Sequence, residues 1–296
     1  MRILVHAGVC LAVAGACAGS AAIAAPSPVV TAEMHGVPPD RAVQVLVAQS
    51  EIKSNINPSN IAVATGGGLL GGLMAASQNA SRTKKAEALT EPVREALIDF
   101  DVDSLAQNTT RAAFAQVPWL QNATVAFSKD SSPVGKSGAL DTIGASQVAF
   151  VEYSYDFSVD FAELRVVAKV EFADKAMPAA ATKPEGRVNR KNLAYAQAIT
   201  TIVSLPVPTD DKATNVSLWS ADGASLARAA LTTAFAKMEQ LLPRTLALTT
   251  EDIAAMAAKT NKKGNVGGFA GRTQESPGTG ETLLWGPGFV WYRDRP

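Results

Sequence analysis

The chain has 296 residues with 27 basic against 27 acidic side chains, so its formal charge is zero. A neutral chain lacks the basic footprint on which nucleic-acid binding depends. Apolar residues make up 47% and charged ones 18%, which is globular rather than disordered, and two cysteines with two histidines leave little for zinc sites or histidine-dependent catalysis.

Residues 1–24 read as a secretory signal peptide: Arg2 supplies the positive start, no charge follows over 3–25, and Ala22-Ile23-Ala24 is a small-x-small cleavage site. Cleavage after Ala24 discards Cys10, Cys17 and His6 and leaves His35 as the last histidine. With Arg2 gone, the mature chain carries one acid in excess. No disulfide can then form, so stability rests on an ordinary core. Ala14-Gly15-Ala16-Cys17 offers an alternative, since it resembles a bacterial lipobox with Ala14 where a large aliphatic residue is usual. In that case Cys17 becomes a lipidated N-terminus. Residues 25–40, with Pro26, Pro28, Pro38 and Pro39, read as a tether.

A single α+β domain is expected over 41–258. Val43, Val45 and Val47 alternate in a strand over 42–52. An uncharged stretch, 54–81, contains five glycines within 61–76. Gly67/Gly71 and Gly68/Gly72 have the spacing that lets membrane helices approach closely, but 16 apolar residues fall short of the ~20 of a spanning helix. The readings are a glycine-rich loop entering a packed helix, a membrane-touching or self-associating segment through Gly67, Gly68, Gly71 and Gly72, and a phosphate loop.

Ala86, Leu89, Val93, Ala96, Leu97 and Phe100 form a helical stripe that Pro92 interrupts, with Thr90 as the cap of a fresh helix. A second helix is expected over 104–116, started by Asp103, followed by a short strand carrying Ala123, Val125 and Phe127. Strict alternation over 148–161 and 162–172, then over 193–203, predicts an antiparallel meander of three strands. Trp219 precedes a long helix capped by Ser220 or Asp222 and bearing the stripe Ala227, Leu231, Ala234, Phe235, Met238, Leu241 and Leu242, with Pro243 ending or kinking it. A short helix over 249–259 completes the domain. The whole reads as an antiparallel-rich mixed sheet of four to five strands with helices packed on one face.

The tail, 259–296, is rich in glycine and aromatic residues. Gly286-Pro287-Gly288 turns a hairpin between 283–285 and 289–292. Trp285, Phe289, Trp291 and Tyr292 either dock back on the domain, add a strand to a partner, or sit at a membrane interface.

Several motifs fail their chemistry. Asp130-Ser131-Ser132-Pro133-Val134-Gly135-Lys136-Ser137 matches the end of a phosphate loop, but Asp130 stands where glycine is required. No Gly-x-Ser-x-Gly elbow occurs after the signal. Asp99, Asp101 and Asp103 lack the glycine and glutamate of a calcium loop and read as helix-terminus residues. No catalytic residue, metal site or cofactor is expected.

The order is strand, glycine-rich segment, helices, strand, small helix over 138–144, core strand from 148, two further strands and a long helix. This layout resembles periplasmic lipoproteins of the curli-secretion and penicillin-binding-protein-activator type, over about residues 41–245. The resemblance implies a non-catalytic envelope protein and carries no site residues across. The expectation is therefore a non-enzymatic exported protein of the bacterial cell envelope, periplasmic or attached to the outer membrane. Its partner is another envelope protein or a second copy of the chain, with peripheral membrane contact as a further possibility and no nucleic acid. The alternatives are a carboxylate-dependent periplasmic hydrolase and a small-ligand carrier with a cavity beneath Leu231, Phe235 and Met238.

Overall fold

The computed structural model describes residues 40–55, 69–175, 193–258, 260–275, 280–286 and 288–294, with 69–79, 193 and 194 by backbone alone. The signal segment, residues 25–39 of the tether, Gly67 and Gly68 lie outside the described residues. The strands are β1 (Arg41–Leu46), β2 (Lys53–Ser54), β3 (Thr124–Ser128), β4 (Gln147–Phe157), β5 (Glu163–Asp174), β6 (Leu193–Ser204), β7 (Lys263–Val266), β8 (Phe269–Glu275), β9 (Glu281–Trp285) and β10 (Gly288–Arg293). The helices are α1 (Leu69–Ala96), α2 (Val102–Ala115), α3 (Pro133–Thr142), α4 (Lys212–Leu246) and α5 (Thr250–Ala257).

Among the described residues all ten strands join one sheet in the order β3-β1-β4-β5-β6-β10-β9-β8-β7, with β2 alongside β4. This corrects the expected four to five strands. The correction comes from the tail. Leu283, Trp285, Phe289 and Trp291 alternate into the main core, so β9 and β10 extend the sheet beyond β6 instead of forming an appendage. Gly288 permits the junction, because a Cβ there would strike the carbonyl of Ala198 on β6. The sheet is also less antiparallel than expected: β1 runs parallel to β3 and β4, β2 to β4, and β10 to β6.

The β4–β5–β6 meander follows the alternation in the sequence. Its inner positions run from Ala149 to Phe157, Leu164 to Phe172 and Tyr195 to Val203. Residues of α1, α2 and α4 cover this face, and Leu231, Phe235 and Met238 are fully buried against it. The helices are not confined to one face. Ala139, Leu140 and Ile143 of α3 pack on the opposite face, over Leu46, Val148, Phe150 and Ala173. Further along that outer face the far strands curl back. Ile202, Leu284 and Val290 meet Val266, Phe269 and Tyr292 in a second small core.

Several helix boundaries differ from the sequence reading, among them the small helix expected over 138–144, which spans Pro133–Thr142. α1 runs through Pro92 without restarting, and the Thr90 hydroxyl, buried mid-helix, donates to the carbonyls of Ala86 and Glu87 at 3.0 Å. Asp101 rather than Asp103 caps α2, accepting from the Ser104 amide at 2.9 Å and hydroxyl at 2.6 Å. α4 starts earlier than expected, at an Asp211 cap, and Trp219 lies within it. It then breaks at Asp222, Gly223 and Ala224, whose φ values are 50, 64 and 58°. Pro243 stays inside the helix, which continues to Leu246.

Candidate functional site

The first place to look is the point where the connections change side. β1 leads to α1 and α2 on the inner face, and β3 leads to α3 on the outer face. Ligands of open α/β sheets favour the crevice at the carboxyl ends of two such strands. Here that crevice is closed from within. The Lys129 ammonium, just past β3, donates to the Gln49 carbonyl just past β1 at 3.1 Å and to Asp103 at 2.7 Å. A cleft of 490 Å³ lies beside it, lined by residues 48–54 with Thr83, Glu87 and Arg94. Arg94 donates to the Ile52 carbonyl at 3.1 Å and pairs with Glu51 at 3.6 Å. This cleft carries mixed charge, with Glu51 and Glu87 beside Lys53 and Arg94.

The phosphate-loop look-alike is built against phosphate. The Ser132 hydroxyl accepts from the Gly135 amide at 3.0 Å, and Asp130 accepts from the Ser132 amide at 2.9 Å, so these two amides at the head of α3 are already used. Ser132 holds the Asp130 carboxyl below the usual carboxylate range. Lys136 turns away onto the sheet, to Glu152 at 3.0 Å and Glu171 at 2.9 Å. Burial works against its charge, yet the two glutamates prevail and raise its pKa above the ordinary 10.5.

The other acids are also occupied. Asp99 pairs with Arg228, Asp101 caps α2, and Asp103 holds Lys129. Among the described residues no group of acids, histidines or cysteines is arranged to hold a metal ion. Asp156 has the most perturbed carboxyl. Burial raises it to about 6 against the opposing pull of Arg165 and Lys53, while Asn55 donates to it at 2.7 Å. Its neighbour across the sheet is Arg165, which bonds Glu163 at 2.6 Å and the Gly267 carbonyl at 3.1 Å. Among the described residues the charged groups acting on Asp156 are the cations Arg165 and Lys53, whereas glycoside cleavage pairs it with a second acid.

The residues singled out in the sequence separate. Gly71 and Gly72 stand in the first turns of α1, and no helix among the described residues is long and apolar enough to cross a membrane. Of the three readings of the tail, the structure realises docking on its own domain. Trp285, Phe289 and Trp291 are each at most 5% exposed. Trp285 meets Phe289 edge-on at 5.0 Å, Arg244 lies over Phe289, and Trp291 donates to Glu281 at 3.1 Å. Tyr292 packs on the second core. Trp285, Phe289 and Trp291 are therefore packed within the fold, and Tyr292 is half-buried.

What remains open is an edge. Among the described residues the sheet ends at β3 on one side and β7 on the other. β7 is short and carries Lys262 and Lys263 at its start, a common guard against strand addition. β3 itself carries no lysine, and Lys129, which directly follows it, is turned to the Gln49 carbonyl and Asp103. Its sequence Thr124-Val125-Ala126-Phe127-Ser128 has no charge, proline or bulge, and its backbone pairs with β1 along its whole length on one side only. No charged residue occurs between Arg111 and Lys129. Thr124 and Ala126 are exposed, and Val125 and Phe127 lie half-buried at the rim of the main core. The sequence marked β3 as a strand but not as an edge. The missed signal was the charge-free run around it. No family model, curated protein or solved structure matches the chain.

Proposed function

We propose that this is a non-enzymatic protein of the bacterial cell envelope, exported to the periplasm, that acts by binding protein along the open β3 edge. The edge carries this reading: an uncharged strand with no second partner strand among the described residues is a template for another strand. Export rests on the signal anatomy around Arg2 and Ala24, and a lipidated Cys17 would hold the same protein at the outer membrane. The layout resemblance to envelope lipoproteins points the same way. The hydrolase and carrier readings gain no support among the described residues: Glu152 and Glu171 share Lys136, Asp99 pairs with Arg228, and Leu231, Phe235 and Met238 are fully buried.

The test is a photo-crosslinking residue placed at Ala126 in the full chain, in cells, with a control at the exposed Thr232 of α4. A protein adduct at 126 and none at 232 is expected. No adduct at 126 contradicts the reading. Mass measurement of the mature N-terminus in the same preparation decides between Ala25 and a lipidated Cys17.

A further inference from the structure

We infer that the strand received at the β3 edge is β3 of a second copy, antiparallel and centred on Ala126; this rests on the edge reading above and names its partner. The sequence of β3 is complementary to itself under a two-fold axis. With Ala126 opposite Ala126 of the second copy, Val125 falls opposite Phe127 and Thr124 opposite Ser128. A β-branched residue facing an aromatic one, and a Thr–Ser pair, are both favourable cross-strand neighbours. The faces agree as well. Val125 and Phe127 lie on the α-covered side, half-buried against the main core. Facing the same residues of a second copy, they complete their burial and join the two cores. Thr124, Ala126 and Ser128 share the opposite face.

Charge supports a second copy over a foreign strand. At a two-fold axis each charge near the centre meets its own duplicate, so an isologous strand pair requires the absence of like charges. The charge-free run between Arg111 and Lys129 meets that requirement, with Lys129 brought opposite Ala123 and Asp130 opposite Asn122. A foreign acidic or basic strand would instead be matched by complementary charge, which β3 lacks. A formal net charge of zero adds no long-range repulsion between copies.

The register gives a sharp test. In a full chain with Cys10→Ser and Cys17→Ser as background, Ala126→Cys places two thiols opposite each other within disulfide reach. Mild oxidation is expected to shift Ala126→Cys to a covalent dimer, while Thr124→Cys and Ser128→Cys alone form no covalent dimer and their mixture forms the crossed one. Light scattering of the unsubstituted chain should read twice its chain mass, and Ala126→Lys, with an unchanged circular dichroism spectrum, should read once. A monomeric unsubstituted chain together with no Ala126→Cys dimer overturns the inference. Thr124→Cys linking to itself as well as Ala126→Cys overturns the register. If the photo-crosslinker at 126 captures only a different protein, the second copy is wrong and the edge reading survives; with no adduct of any kind, both fail.

Discussion

The side-chain amide of Gln49 takes the place of a strand against Tyr155. Its Nε2 donates to the Tyr155 carbonyl at 2.7 Å, and its Oε1 accepts from the Tyr155 amide at 3.2 Å. Leu46 pairs with Glu152 and Lys53 with Asp156, so seven steps of chain answer four along β4. The surplus loops out, and the Gln49 amide fills the gap it leaves in the ladder. Gln49→Ala would leave two buried main-chain groups unpaired. We expect a loss of about 2–4 kcal/mol in urea unfolding, with faster hydrogen exchange at the Tyr155 amide. Unchanged exchange there would refute the bridge.

Lys136 is one cation serving Glu152 and Glu171. Lys136→Met leaves the two carboxylates facing each other at the rim of Phe150 and should cost about 2 kcal/mol at neutral pH. The pH dependence has a definite sign. The folded pKa is raised, so the stabilisation is complete below the ordinary value of 10.5 and is lost as pH rises through the folded value. Wild type should therefore weaken in that alkaline window, and Lys136→Met should lose this component of the slope.

At Asp156 it is the charged form that the fold disfavours. Burial raises its pKa from 3.8 to about 6, so the folded chain binds this proton more tightly than the unfolded one. Stability should fall as pH climbs from 3.8 to 6 and stay lower above it. Asp156→Asn should remove this slope. It should leave the unfolding midpoint unchanged below 3.8 and raise it above 6. Equal midpoints for the two proteins at neutral pH would contradict the burial argument.

The break in α4 stores backbone strain at Asp222, Gly223 and Ala224, three successive left-handed residues. Gly223 has φ 64° and open space where a Cβ would stand. Gly223→Ala therefore tests conformation without collision and should cost about 1 kcal/mol by chemical denaturation. A neutral or stabilising result would mean that the segment relaxes to a continuous helix.

Much of the centre of the fold was legible because its pattern is local. The alternation from Ala149 to Phe157 and the stripe from Ala227 to Leu242 give strand and helix directly. The hairpin around Gly286 also follows from its turn residues, with Phe289 opposite Trp285. Long-range placement was not legible. Nothing near Trp291 states that β10 will run parallel to β6, and nothing near Gln49 states that its side chain will replace a strand. Thr90 misled because a hydroxyl two residues before proline serves equally as a cap or as a mid-helix donor to Ala86. The openness of β3 belongs to its position at the end of the sheet, so the residues from Thr124 to Ser128 name a strand but not an edge.

Hydrogen exchange at the β3 amides, residues 124–128, as a function of protein concentration tests the central claim most directly. If β3 pairs with a second copy, their protection rises with concentration in the unsubstituted chain and stays flat in Ala126→Lys. Protection that is independent of concentration in both proteins would contradict pairing between copies at this edge.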